Sequence, residues 1–500
     1  MQLYACSLFL TSSTRYAPSG NQFGAFLVAL LSLSETVAAA VFRCICCCSP
    51  NFRCTVTFTR FWGGAMSDLE KRKGLIVTAA GTGINLALGV LYAWSLFKGA
   101  IKQSIEAKGP DSFQWDTASL NDPYAVCCIV FACMMIVGGK IQDKYGPRIT
   151  AVIGGFLIGL GFVWISQTSA YLSWVLGFGV CVGSGIAFAY SAATPSALKW
   201  FHRSKSGMIS GVVVGGFGLA PVYIAPLGQY LLKTYGIHTS MLYFGISFFL
   251  VVCLLAMFLE NPPVGYSPAG DFAHQRSPDK QVLRSSFETE PVGPTEIIRK
   301  PFFWLLWAIF FVGAGAGLMV IGSIAGMAKT SMGENAFVAV AILAIGNAGG
   351  RVLAGVLSDR VGRKRALFAV FLFQAILMFA AIPVTSTATT IPSVVVLLAA
   401  LIGFNYGANL ALFPSYAKDL WGMKHFGVNY GVMFTAWGVG GLVMSRLSET
   451  LVARTGSFQA SFAAAGCLLL AGSVIILLMR DKKEEMRQAL RRQKAKDAMV

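Results

Sequence analysis

The sequence predicts an all-α membrane protein in which twelve transmembrane helices form two bundles of six. Three observations lead there: an apolar composition, twelve segments long enough to cross a bilayer, and a second half that echoes the first. Of the 500 residues 55% are hydrophobic and 54 more are glycine, so about two thirds of the chain is apolar, against roughly 45–50% in soluble proteins. Charged residues reach only 12%, about half the soluble norm of roughly 25%, which excludes a water-soluble fold. The formal charge of +18 comes from 40 basic and 22 acidic residues. In so apolar a chain it reads as an orientation signal, and no nucleic-acid partner is expected.

A crossing helix needs roughly 20 mostly apolar residues. Such segments recur at about 74–97, 123–142, 149–168, 172–194, 206–231, 240–259, 302–328, 335–357, 365–384, 391–413, 427–448 and 458–479. The one long polar stretch between them, 260–300, is a linker that divides a first bundle at 66–259 from a second at 301–480. Alternate loops sort the basic residues into a set of 28 and a set of seven. That asymmetry places both termini and the linker in the cytoplasm, with the cell membrane the expected location. The charged tail, 481–500, is expected on the inner leaflet, solvated or touching anionic lipid.

Residues 1–65 fit this scheme poorly, because the apolar run 23–42 would add a thirteenth span and upset the parity. Met66 opens Met-Ser-Asp-Leu-Glu-Lys-Arg-Lys ahead of the first clean span. Residues 1–65 therefore read as a gene-model extension or a removable segment. The alternative is a lipidated leader carrying Cys44, Cys46, Cys47 and Cys48. The remaining cysteines, Cys127, Cys128, Cys133, Cys181, Cys253 and Cys467, fall in apolar segments and act as small hydrophobes. Neither a disulfide framework nor zinc spacing emerges. With His202, His238, His274 and His425 all in loops and no nucleotide motif, no metal, no cofactor and no enzyme activity are expected.

The halves repeat at an offset of about 216–220. Gly139-Lys-Ile-Gln-Asp143-Lys-Tyr-Gly146-Pro-Arg148 is echoed by Gly355-Val-Leu-Ser-Asp359-Arg-Val-Gly362-Arg363-Lys364. Pro195-Ser196-Ala-Leu-Lys199 is echoed by Pro414-Ser415-Tyr-Ala-Lys418, and the glycine-rich run 210–218 by 430–438. In the first echo, glycine lets two helices meet closely. The carboxylate can meet the positive N-terminus of a neighbouring helix, or an arginine, in one conformation only. Gly139, Asp143, Arg148, Gly355, Asp359, Gly362 and Arg363 are accordingly read as a conformational latch, the alternative for the two carboxylates being a solvated loop charge.

Six plus six spans, a central linker and the G-x-x-x-D-[RK]-x-G-[RK]-[RK] loop resemble the major facilitator superfamily over residues 66–480; the first copy carries Pro147 where a basic residue is usual. Within it, Leu91-Tyr92-Ala93-Trp94-Ser95, Lys199-Trp200-Phe201, Asn261-Pro-Pro-Val-Gly-Tyr266, Asn347-Ala-Gly-Gly-Arg351 and Ala411-Leu-Phe-Pro414-Ser resemble the oxalate/formate antiporter family. The resemblance implies a secondary carrier that exchanges small organic anions by alternating access, the alternatives being proton symport of monocarboxylates and a membrane sensor that does not transport. A monomer suffices for such a mechanism; the oligomeric state is left open.

Arg351 stands alone as an intramembrane charge. It lies eight residues before Asp359, about 12 Å along a helix at 1.5 Å per residue, which puts it near mid-membrane. Every acidic residue from Asp68 onward falls in a loop, at a helix border or in the tail. A planar guanidinium matches a carboxylate in two parallel hydrogen bonds, so the missing counter-ion is read as the substrate. Asn347, one turn earlier, can orient Arg351 without neutralising it; related proton-coupled monocarboxylate carriers have an acidic residue there. The resemblance implies a second cation in span 11, where this chain has Trp437, so one cation beside an indole points to a single carboxylate. It also implies cavity roles for Tyr92, Tyr190 and Tyr406, with weaker ones for Asn405 and Asn409, and Leu410 standing in place of a further tyrosine.

Overall fold

A computed structural model describes residues 68–109, 112–263, 266, 292–332, 336–386 and 392–479. The readings made for residues 1–65, for most of the linker and for the tail lie outside them. The described residues fold into α-helices joined by short turns, with no strand among them. Ten stretches are long and apolar enough to cross a membrane. One of the ten, Ser206–Ala256, has 51 residues, about 75 Å of helix, more than twice a hydrocarbon core of roughly 30 Å. Gly236 (φ 75°) breaks it with a non-helical backbone, and dividing it there yields the fifth and sixth expected spans. The eleventh expected span lies in a helix outside the ten, Phe426–Thr455, which is 30 residues long and carries Arg446, Glu449 and Arg454.

The first span is three pieces: α1 (Asp68–Leu88), a tight 3₁₀ turn (Gly89–Ala93) and α2 (Trp94–Ala107). After it come α3 (Asp122–Tyr145) and α4 (Pro147–Ile165). The fourth span joins α5 (Tyr171–Trp174), a π-helical stretch (Val175–Val182) and α6 (Gly183–Lys199). The fifth is interrupted between α7 (Ser206–Leu219) and α8 (Pro221–Ala256), where Pro221 has no N–H to continue the ladder. A short α9 (Pro294–Arg299) precedes α10 (Pro301–Met332), α11 (Ala336–Val361), α12 (Arg363–Ser386), α13 (Pro392–Trp421), α14 (Phe426–Thr455) and α15 (Gln459–Leu478).

The turn chemistry explains where these helices stop. Gly146 (φ 90°) and Gly362 (φ 97°) occupy matching places in the two loop motifs, between α3 and α4 and between α11 and α12. Other residues rarely adopt such a backbone. Most helix pairs in contact lie within 68–256 or within 301–478, and two extensive contacts join the halves: α3 with α14, and α7 with α11. These pairs are related by the sequence repeat, so the fold repeats in space what the chain repeats in sequence. The breaks in spans 1 and 5 also meet. A Cβ on Gly89 would lie 2.2 Å from Ala220 Cβ and 2.5 Å from the Phe217 carbonyl, so only glycine allows the approach that sets Tyr92, in the same 3₁₀ turn, beside Phe217.

Candidate functional site

Arg351 projects from α11 against α7 and is only 1% exposed. Its Nε donates to Asn347 Oδ1 at 2.9 Å, one helical turn earlier, and its Nη1 donates to the Val214 carbonyl of α7. Two glycines permit this depth. A Cβ at Gly211 would meet the Arg351 carbonyl at 2.2 Å, and one at Gly350 would meet the Phe404 carbonyl of α13 at 1.8 Å. The guanidinium carbon also lies over the Phe217 ring, 5.9 Å from its centroid.

Among the described residues Nη2 is buried with no well-aligned hydrogen-bond partner and no carboxylate pairs with Arg351, although the Tyr92 hydroxyl lies close enough to interact with the guanidinium. The fork expected to meet a carboxylate is therefore partly used by the protein itself. Asn347 and Val214 fix the plane of the group and leave Nη2 as the free edge. A fixed, half-satisfied cation in a place shielded from water has the chemistry to attract an anion, because an unpaired buried charge is costly and an opposite charge would relieve it.

Around it lies a small cavity of about 10 Å³, lined by Tyr92, Phe131, Tyr190, Phe217, Arg351, Leu410, Phe434 and Trp437. That is about the room one water needs, so a larger occupant requires the walls to separate. Of the residues singled out in the sequence, Arg351, Tyr92, Tyr190, Trp437 and Leu410 reach the wall. Tyr406 stands one layer behind it, fully buried, with its hydroxyl 2.7 Å from that of Tyr92 and accepting the Trp437 Nε1–H at 2.9 Å. Asn347 serves Arg351 from behind. Asn405 and Asn409 turn away: Asn409 Nδ2 donates to Gln374 Oε1 of α12 at 3.0 Å, and Asn405 Nδ2 to the Leu401 carbonyl. Phe131, Phe217 and Phe434 were not distinguishable beforehand among 37 phenylalanines; only helix rotation, which span-counting does not give, selects them.

At one end of the molecule both loop carboxylates cross between the halves. Asp359 accepts the backbone N–H groups of Gly207 and Met208, each at 2.9 Å, at the start of α7. Asp143 accepts those of Gly427 and Val428, each at 3.3 Å, at the start of α14. A helix N-terminus offers free N–H groups and a positive dipole end, so each carboxylate is well placed.

The two contacts are not equal. Arg363 pairs with Asp359 at 2.7 Å and with Asp419 at 3.1 Å, and also donates to Ser206 Oγ at 2.7 Å and to Ser358 Oγ. Arg148 sits one residue past the Arg363 register, which Pro147 fills. It bonds the Leu259 carbonyl at 2.8 Å and Glu260 at 3.2 Å rather than Asp143. The glycines work as close-approach points: Cβ atoms at Gly139 and Gly355 would lie 2.2 and 2.1 Å from the carbonyls of Gly427 and Gly207. Gly207 and Gly427 lie one turn before the two glycine-rich runs of the repeat, and that periodicity is the sequence signal for them.

The chain is 26% identical over 355 residues to the oxalate:formate antiporter of Oxalobacter formigenes, covering 70% of this chain and 77% of that protein. It is 26% identical over 417 residues to human monocarboxylate transporter 11, covering 81% and 82%. Among solved structures, the proton:xylose symporter XylE superposes with a TM-score of 0.61 at 15% identity, covering 82% of this chain and 96% of that one; this likeness speaks for the fold alone. A sequence model of the Major Facilitator Superfamily matches residues 74–445, and again 338–499. With its helices paired across the halves and its loop carboxylates seated on opposing helix ends, this multi-pass membrane chain belongs to the Major Facilitator Superfamily.

Proposed function

We propose that the protein exchanges small organic anions bearing a single carboxylate across the cell membrane, by alternating access to the Arg351 cavity. The observation that carries this reading is the buried guanidinium with a free Nη2 edge and no carboxylate partner among the described residues. The similarity to an oxalate:formate antiporter and to a monocarboxylate transporter supports the same substrate class. Residues 66–259 and 301–480 act as the two rocking units, joined by the linker 260–300. The end carrying Asp143 and Asp359 faces the cytoplasm with both termini, and the carboxylates hold that end shut while the other opens.

Exchange follows from the charge. An empty carrier would have to move an unpaired guanidinium between states, whereas a carrier refilled with an anion moves a compensated one. Proton symport is disfavoured because, among the described residues, no aspartate or glutamate lines the cavity to take the proton.

Charge matching can be tested at Trp437, which is 1% exposed. Trp437→Lys adds a second cation to the wall and should raise the oxalate-to-formate competition ratio in counterflow, by about tenfold if the new pair contributes ~1.4 kcal/mol. Trp437→Leu controls for lost size and for the lost indole N–H, and should weaken formate without raising the ratio. A wild type that already exchanges oxalate as readily as formate, with a ratio unmoved by lysine, contradicts the single-carboxylate reading.

A further inference from the structure

Tyr92, Tyr406 and Trp437 form one hydrogen-bonded chain that ends at the cavity, and its direction is fixed by its far end. The Trp437 indole can only donate, and it donates to Tyr406 Oη at 2.9 Å. Tyr406 Oη lies 2.7 Å from Tyr92 Oη, so either phenol could in principle supply that proton. Burial removes the ambiguity. Tyr406 is fully buried, and Trp437 and Tyr92 are the partners its hydroxyl has among the described residues. Were Tyr92 the donor, the Tyr406 proton would be stranded with no acceptor in an apolar interior.

We infer that Trp437 and Tyr406 are positioning residues that orient the Tyr92 hydroxyl proton into the cavity, making Tyr92 a fixed neutral donor to the carboxylate bound at Arg351. The inference rests on the carboxylate reading above and deepens it. The cavity then offers one full positive charge and one neutral donor, with Tyr92 and Arg351 on the same lining. This pair suits an ionised carboxylate, which only accepts, and discriminates against the protonated acid, whose own O–H would face a second donor. It also gives the tryptophan in span 11 a role beyond filling space: it polarises the chain from behind.

The test is a double-mutant cycle in proteoliposomes, reading the half-saturating concentration of labelled formate, lactate or pyruvate in counterflow, whichever the wild type exchanges. Tyr92→Phe and Tyr406→Phe keep ring size and differ from wild type by one hydroxyl each; thermal melting in detergent confirms that both fold. Each should weaken the apparent affinity by about tenfold, the loss of one hydrogen bond to a charged acceptor. The double variant should be no weaker than Tyr92→Phe alone, because Tyr406 acts only through Tyr92. Losses that multiply in the double variant, or an unchanged affinity in Tyr406→Phe, overturn the chain while leaving the carboxylate reading standing. A folded wild type that exchanges none of these acids overturns that reading and the chain with it.

Discussion

Arg351→Gln should abolish anion exchange while the protein still inserts and folds, and Arg351→Lys should do no better. The wild-type guanidinium is held by Asn347 and by the Val214 carbonyl, with Nη2 free. Glutamine retains a donor for one of these acceptors but carries no charge for the anion. Lysine carries the charge as a compact point on a flexible stem, and cannot occupy the Asn347 and Val214 positions while presenting a third donor in a fixed plane. Losing one partner of a buried ionic contact costs about 3–5 kcal/mol, which is a loss of more than about a hundredfold in binding. The fold is affected in the opposite direction. A buried, half-paired charge is a burden on the empty protein, so Arg351→Gln should melt no lower than wild type in detergent, and higher if the burden is large. Melting temperature and uptake measured on one preparation separate this outcome from misfolding; wild-type uptake by the glutamine variant contradicts the assignment.

The second large effect is expected at the latch, and it should be unequal between the halves. Asp359→Asn removes a carboxylate that accepts two backbone N–H groups and pairs with buried Arg363. Arg363 keeps Asp419 but loses its nearer partner, so the closed state should weaken by about 2–4 kcal/mol. Asp143→Asn loses two longer contacts to a helix N-terminus, and no ion pair to Asp143 is formed among the described residues. About 1 kcal/mol is expected there. The readout is maleimide labelling of a cysteine introduced at that end, together with the exchange rate. Asp359→Asn should expose the cysteine strongly and slow exchange more than tenfold, with Asp143→Asn intermediate; equal effects would contradict the asymmetry seen at Arg363.

What the sequence made legible follows from what can be measured along a helix. The one-turn spacing of Asn347 and Arg351 predicts their contact, and the structure shows it at 2.9 Å with Arg351 buried; relative axial position is what a rise of 1.5 Å per residue encodes. Rotation about the axis is not encoded that way. Tyr406 was expected at the wall and stands behind Tyr92, while Phe131, Phe217 and Phe434 reach the wall unannounced. Continuity of the spans was also hidden. The breaks at Gly89–Ala93 and around Ala220 depend on a contact between spans 1 and 5 that neither segment shows alone. Arg148 was grouped with the latch by its place in the motif, yet Pro147 shifts it toward Glu260. The asymmetry between Asp143 and Asp359 was thus written in one proline, and its meaning needed the packing.

If Arg351 must be compensated by a bound anion for the carrier to reorient, only loaded carriers cross between states. The most direct test is uptake of labelled formate, lactate and pyruvate into proteoliposomes preloaded with the same unlabelled acid, against empty proteoliposomes under an inward proton gradient. Uptake should be rapid into loaded vesicles and almost absent in empty ones, with Arg351→Gln inactive in both. Uptake into empty vesicles that matches the loaded ones and follows the proton gradient would contradict the requirement for a bound anion.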